Sequence, residues 1–167
     1  LFLSQLCPWI IILTMNGSCY CGAVKYHVPS TAEPIVSLYC HCESCRRAHA
    51  APVYHCVYMN EEDMVFQSGK ELLTNFRLTD EEGSPTRAFC SVCGTRMQNK
   101  LNNKPWFGFF PTTLHSDHQQ NLPSVFQPTI HYCGHEAVVD LKSFHPELPV
   151  VGPAPLPASS PTTNISD

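Results

Sequence analysis

The sequence predicts an all-β domain built from short antiparallel strands, and three observations predict it. Fifteen prolines and eight glycines stand in 167 residues and leave little room for long helices. Apolar residues alternate with polar ones in several short runs instead of recurring at helical spacing. Ten cysteines, most of them in tight groups, supply the cross-links that a small sheet with a modest core needs. Charged residues make up only 14%, the net charge is −4 and the pI about 6.1, so a basic nucleic-acid footprint is absent. No apolar run reaches the ~20 residues of a membrane span.

In chain order, residues 1–14 read LFLSQLCPWIIILT, apolar and without Lys or Arg. They lack the basic region and small-residue cleavage site of a secretory signal. Two readings stand: upstream translation ahead of a start at Met15, or an N-terminal strand or short helix. Val24, Tyr26 and Val28 alternate across Ala23–Val28 and predict a half-buried strand. A short helix follows Cys42, through Glu43 to Ala48. Pro52–Tyr58 reads as a second strand. Met64–Phe66 and Leu72–Leu78 read as a pair turned at Ser68-Gly69-Lys70. Arg87-Ala88-Phe89 runs into a cysteine knuckle. Trp106–Phe110 is an aromatic strand fenced by Pro105 and Pro111, most simply core packing. Phe126–Tyr132 is the expected last strand. The folded domain is therefore expected over 15–149. Residues 150–167, rich in proline and without Lys, Arg or an aromatic, are expected as a disordered tail.

The cysteines carry the chemistry. Seven of them form two pairs and a triplet with one or two residues between neighbours. Near neighbours bridge poorly as disulfides but chelate well, so metal in a reducing compartment, the cytoplasm, is the reading. Cys19-Tyr20-Cys21-Gly22 and Cys90-Ser91-Val92-Cys93-Gly94 are knuckles whose glycines permit the tight turn that aims N–H groups at sulfur. Together they can close a tetrahedron of four thiolates suited to zinc. A redox dithiol at Cys90 and Cys93 is the rival, but no βαβ context surrounds it. Cys40-His41-Cys42-Glu43-Ser44-Cys45 offers three thiolates from one loop. Three protein ligands and one open position is the usual form of a catalytic zinc, and a thiol sulfur would suit the vacancy. A fourth ligand from His41, His55, Cys56, His131, Cys133 or His135 would instead close the site as structural. Arg46 and Arg47 could steer a carboxylate toward the metal, or simply balance thiolate charge at a solvated helix end. His131 and His135 fall at H-x3-H spacing, for which a turn at Gly134 is the plainer account.

Asn16–Tyr26, Cys40–Arg47 and Arg87–Thr95 closely resemble the glutathione-dependent formaldehyde-activating enzyme family, which also includes centromere protein V. Phe66, Gly69, Phe76-Arg77, Pro128 and Ile130-His131-Tyr132 fit the same pattern. The resemblance covers about Asn16 to Pro149. It implies a zinc-anchored β-tent with a structural zinc on Cys19, Cys21, Cys90 and Cys93 and an active-site zinc on Cys40, Cys42 and Cys45. It implies a carbon–sulfur lyase that joins glutathione and formaldehyde reversibly as S-hydroxymethylglutathione, or handles a related thiol adduct. Arg46 or Arg47 would then hold a glutathione carboxylate. The family often has Gly near Ala50, and the closing Val139–Phe144 lacks the Gly and Pro of fungal-type members. Two other functions compete: a two-zinc binding or scaffold module without catalysis, and a thiol sensor that releases metal on oxidation. The missing basic extension and the negative charge weigh against a nucleic-acid partner. The oligomeric state is not written in the sequence.

Overall fold

The computed structural model describes residues 14–79, 84–101 and 104–152. The expected leader lies outside these residues except for Thr14, and the expected tail except for Val150–Gly152. The strands are β1 (Thr14–Ser18), β2 (Lys25–Pro29), β3 (Val36–Cys40), β4 (Tyr54–Asn60), β5 (Val65–Ser68), β6 (Leu73–Phe76), β7 (Thr86–Cys90), β8 (Arg96–Lys100), β9 (Trp106–Phe109), β10 (Ile130–Tyr132) and β11 (Val150–Val151). Two short helices, α1 (Glu43–His49) and α2 (Ser116–Gln120), complete the regular elements apart from single helical turns. No helix among the described residues is long and apolar enough to cross a membrane.

The strands form two sheets, a small one ordered β1-β2-β5 and a large one ordered β11-β10-β3-β4-β9-β8-β7-β6. Pairing is antiparallel except where β10 lies parallel to β3 and β11. The main core collects Met15, Val24, Tyr26 and Val28 from the region of the small sheet. Against them stand Val57, Met59, Met97, Phe107 and Phe109 from the large one. Alternation along β4 sends Val57 and Met59 into this core and Cys56 and Tyr58 to the other face, where Leu38, Cys40, Cys45 and Phe110 form a second cluster.

Met64–Phe66 and Leu72–Leu78 do supply β5 and β6, but these do not pair with each other. β5 pairs with β2 and β6 with β7, in different sheets. Gly69 turns left-handed (φ 75°), and the single turn Lys70–Leu72 then carries the chain from one sheet to the other. A hairpin needs strands that leave the turn side by side, and that extra helical turn prevents it. The expected strand over 126–132 is shorter, β10 beginning only at Ile130, because Ser124–Phe126 makes a helical turn and Pro128 donates no N–H.

Candidate metal centres and cavity

The first knuckle follows β1. Gly22 N donates to the Cys19 carbonyl at 2.9 Å, and Val24 N donates to Cys19 Sγ at 3.2 Å. The second knuckle repeats the design, with Gly94 N on the Cys90 carbonyl at 2.8 Å. Gly22 and Gly94 both have left-handed backbone, φ 73° and 76°, as the tight turns require. Tyr20 N donates to Thr95 Oγ1 at 3.0 Å and links the two loops. The sulfurs of Cys19, Cys21, Cys90 and Cys93 thus gather within 4.8 Å of one another from segments far apart in sequence. Cys93 is pushed down to about 6, chiefly by its hydrogen bond with Thr95 Oγ1.

The triplet leaves the end of β3 and enters α1. The loop hangs on β10, because His41 N donates to the Tyr132 carbonyl at 3.0 Å. Cys40, Cys42 and Cys45 also gather within 4.8 Å. Cys45 is held down at about 2 by hydrogen bonds from Cys40 and Cys42, with Tyr54 and Arg87 adding to the effect. Tyr54 donates to Cys45 Sγ at 3.3 Å, and Arg87 Nη2 lies 3.9 Å from the same sulfur. This is the environment a thiolate ligand needs.

The donor sets fit a metal. Sulfurs on a tetrahedral ion with bonds of ~2.3 Å stand about 3.8 Å apart. Here Cys19–Cys21 measures 3.5 Å, Cys21–Cys90 4.0 Å and Cys40–Cys42 3.6 Å. Every described cysteine is free of disulfide bonding. Both clusters could hold a metal ion, and zinc is consistent with them.

No fourth His, Cys, Asp or Glu donor joins the triplet among the described residues. His131 Nε2 donates to the His145 carbonyl at 3.0 Å, so its Nδ1 accepts from His41 Nε2 at 2.9 Å. His55 bonds Ser37, and His135 pairs with Glu136. His131 and His135 do not converge, and the turn Gly134–Glu136 accounts for their spacing.

A cavity of about 460 Å³ opens beside Cys40, Cys42 and Cys45. Neither Arg46 nor Arg47 lines it. Arg46 Nε donates to the His41 carbonyl at 2.9 Å, and the Arg47 side chain is 80% exposed with Glu43 at 3.7 Å. Arg47 lines an adjoining groove that shares Ser44 and Arg87 with the cavity. Among the described residues the cation that lines the cavity is instead Arg87, whose Nη2 donates to Ser44 Oγ at 3.0 Å. Beside it, Asn99 Nδ2 donates to Tyr54 Oη at 3.2 Å. Sequence reasoning missed Tyr54, Arg87 and Asn99 as site residues. For Arg87 a signal existed, three residues ahead of Cys90. Asn99 had none, because a local irregularity in the ladder turns it inward: Ala88 faces Gln98 while Phe89 faces Arg96, so Met97 is an extra residue. Met97 enters the main core, and Asn99 then aligns with Arg87 and Gly108 on the cavity face.

Fold and site together define a mostly-β protein with two cysteine clusters able to hold metal, one of them open to a cavity. More particularly, the chain belongs to the glutathione-dependent formaldehyde-activating enzyme family, whose model matches residues 14–133. That membership supports a glutathione-related, formaldehyde-activating function. A crystal structure of a Rhodobacter sphaeroides protein, a structural-genomics target, is similar in fold. It superposes with a TM-score of 0.50 at 20% identity, covering 82% of this chain and 100% of that one. No curated protein sequence matches this chain.

Proposed function

We propose that the protein is a zinc-dependent carbon–sulfur lyase acting on S-hydroxymethylglutathione or a related thiol adduct. The observation that carries this reading is the three-sulfur cluster on the cavity wall, with no fourth protein donor among the described residues. Zinc held there supplies a position where a thiol sulfur can be kept as thiolate. The reaction itself joins that sulfur to a carbonyl carbon. The thiol proton ends on the carbonyl oxygen, and the reverse step returns it to sulfur.

The chain's own residues divide the work. Cys40, Cys42 and Cys45 hold the metal. Tyr54 and Arg87 hold Cys45 in its thiolate form. Arg46, spent on the His41 carbonyl, positions the triplet loop, while Arg47 in the adjoining groove meets a carboxylate of the tripeptide. Cys19, Cys21, Cys90 and Cys93 hold a second, structural zinc that ties the two knuckles together. Cysteines kept as metal ligands suit a reducing compartment such as the cytoplasm.

Zinc per chain, measured before and after dialysis against glutathione, tests the reading. Two zincs are expected, one of which glutathione displaces or labilises, and Cys42→Ser should lack that one. Two zincs that both resist glutathione, a single zinc, or a Cys42→Ser protein with unchanged metal and turnover would overturn it.

A further inference from the structure

The cavity beside the triplet is far larger than formaldehyde and is built for a different kind of group. Its 460 Å³ lies in the ~300–1,000 Å³ range of pockets that enclose drug-sized ligands, whereas a one-carbon aldehyde needs little more than the ~30 Å³ share of a water. Its apolar walls include Val36, Leu38, Leu101, Trp106, Ile130 and Val151. Glutathione carries carboxylates at both ends. Among the described residues the lining holds no Lys and a single Arg, already engaged with Ser44 and Cys45, so a carboxylate buried among those walls would go unpaired. The tripeptide body therefore does not account for the space.

The polar side chains that line the cavity, Ser44, Tyr54, Tyr58, Arg87, Asn99 and Tyr132, are partly engaged with one another. Arg87 and Asn99 are 3% and 1% exposed, yet Arg87 Nε and Asn99 Oδ1 have no hydrogen-bond partner. One is a donor and the other an acceptor, and the ladder sets the two residues opposite each other. Buried polar atoms left unpaired cost stability, and a ligand that satisfies both recovers it. Both atoms lie beneath the cavity surface; with a shift of these side chains, Arg87 Nε can donate to a carbonyl oxygen and Asn99 Oδ1 can accept from the hydroxyl that it becomes.

We infer that this cavity binds the carbon half of the thiol adduct and selects a carbonyl compound bearing an apolar substituent of several carbons. The inference rests on the thiol–carbonyl reading of the same site. The product is a hemithioacetal: the S–C bond forms, the C=O π bond is lost, and the thiol proton moves to oxygen. No oxidant or further reactant enters.

Unreactive alcohols test it, since they mimic the hydroxyl-bearing carbon. The zinc-loaded full chain is titrated with methanol, butan-1-ol and hexan-1-ol while the emission of Trp106, a cavity wall, is followed, with Trp106→Phe as the signal control. Each added methylene should tighten binding about fourfold. Asn99→Leu should weaken hexan-1-ol about tenfold. Because that change could unsettle the fold, Ile130→Phe, which fills the cavity from another strand, is measured beside it and should weaken hexan-1-ol at least as much. Equal affinity along the series, or hexan-1-ol binding indifferent to Ile130→Phe, overturns the inference. Zinc release by glutathione is read on the same samples. Chain-length dependence without labile zinc supports the apolar cavity and overturns the thiol reading. Labile zinc without chain-length dependence overturns the cavity inference alone.

Discussion

Tyr54 shows how much one side chain can hold at this site. Its hydroxyl donates to Cys45 Sγ and accepts from Asn99 Nδ2, and its ring stacks on His49 at 4.2 Å. Tyr54→Phe keeps the ring and removes both hydrogen bonds. A sulfur that loses a donor is a poorer thiolate, and changes of this kind typically cost ~10–100-fold in metal affinity. Chelator competition should therefore find the triplet's metal held at least tenfold more weakly in Tyr54→Phe. The four-cysteine site should be unchanged, because its donors are Val24 N and Thr95 Oγ1 instead. Equal loss at both sites would mean that Tyr54 acts on the fold and not on Cys45.

Helix α1 is the element that delivers Cys45 to the cluster, and it ends under strain. Ala50 caps it with left-handed backbone, φ 50° and ψ 41°, its N–H on the Arg46 carbonyl. A Cβ in that region costs roughly 1–2 kcal/mol, which glycine avoids. Glycine also has more freedom to lose on folding, which offsets part of the gain. Ala50→Gly should raise stability by about 0.5–1 kcal/mol, read as a rise of a few degrees in Tm. A fall in Tm would mean that the Ala50 methyl contributes packing worth more than the strain.

Across the whole molecule, burial of histidines couples stability to pH. His55 sits on β4 against Ser37, and burial pulls its pKa from 6.5 to about 4. Between those values the unfolded chain binds the proton and the folded one does not. Stability is therefore full above about pH 6.5 and falls as pH drops toward 4, at up to about 1.4 kcal/mol per unit. Urea midpoints from pH 7 to 5 should fall less steeply in His55→Gln than in the parent chain, and parallel slopes would refute the assignment. The sequence by itself determined the β class, the knuckles and the triplet, since composition, alternation and ligand spacing are local properties that survive without a fold. It determined α1 and the stretch that becomes β2 for the same reason. Only the tertiary structure decided that β5 and β6 part into different sheets, that Arg87 and not Arg46 faces the cavity, and that Asn99 lies beside it. Each of these depends on which strands exchange hydrogen bonds and in what register, and the one extra residue at Met97 is enough to turn Asn99 from the core to the site.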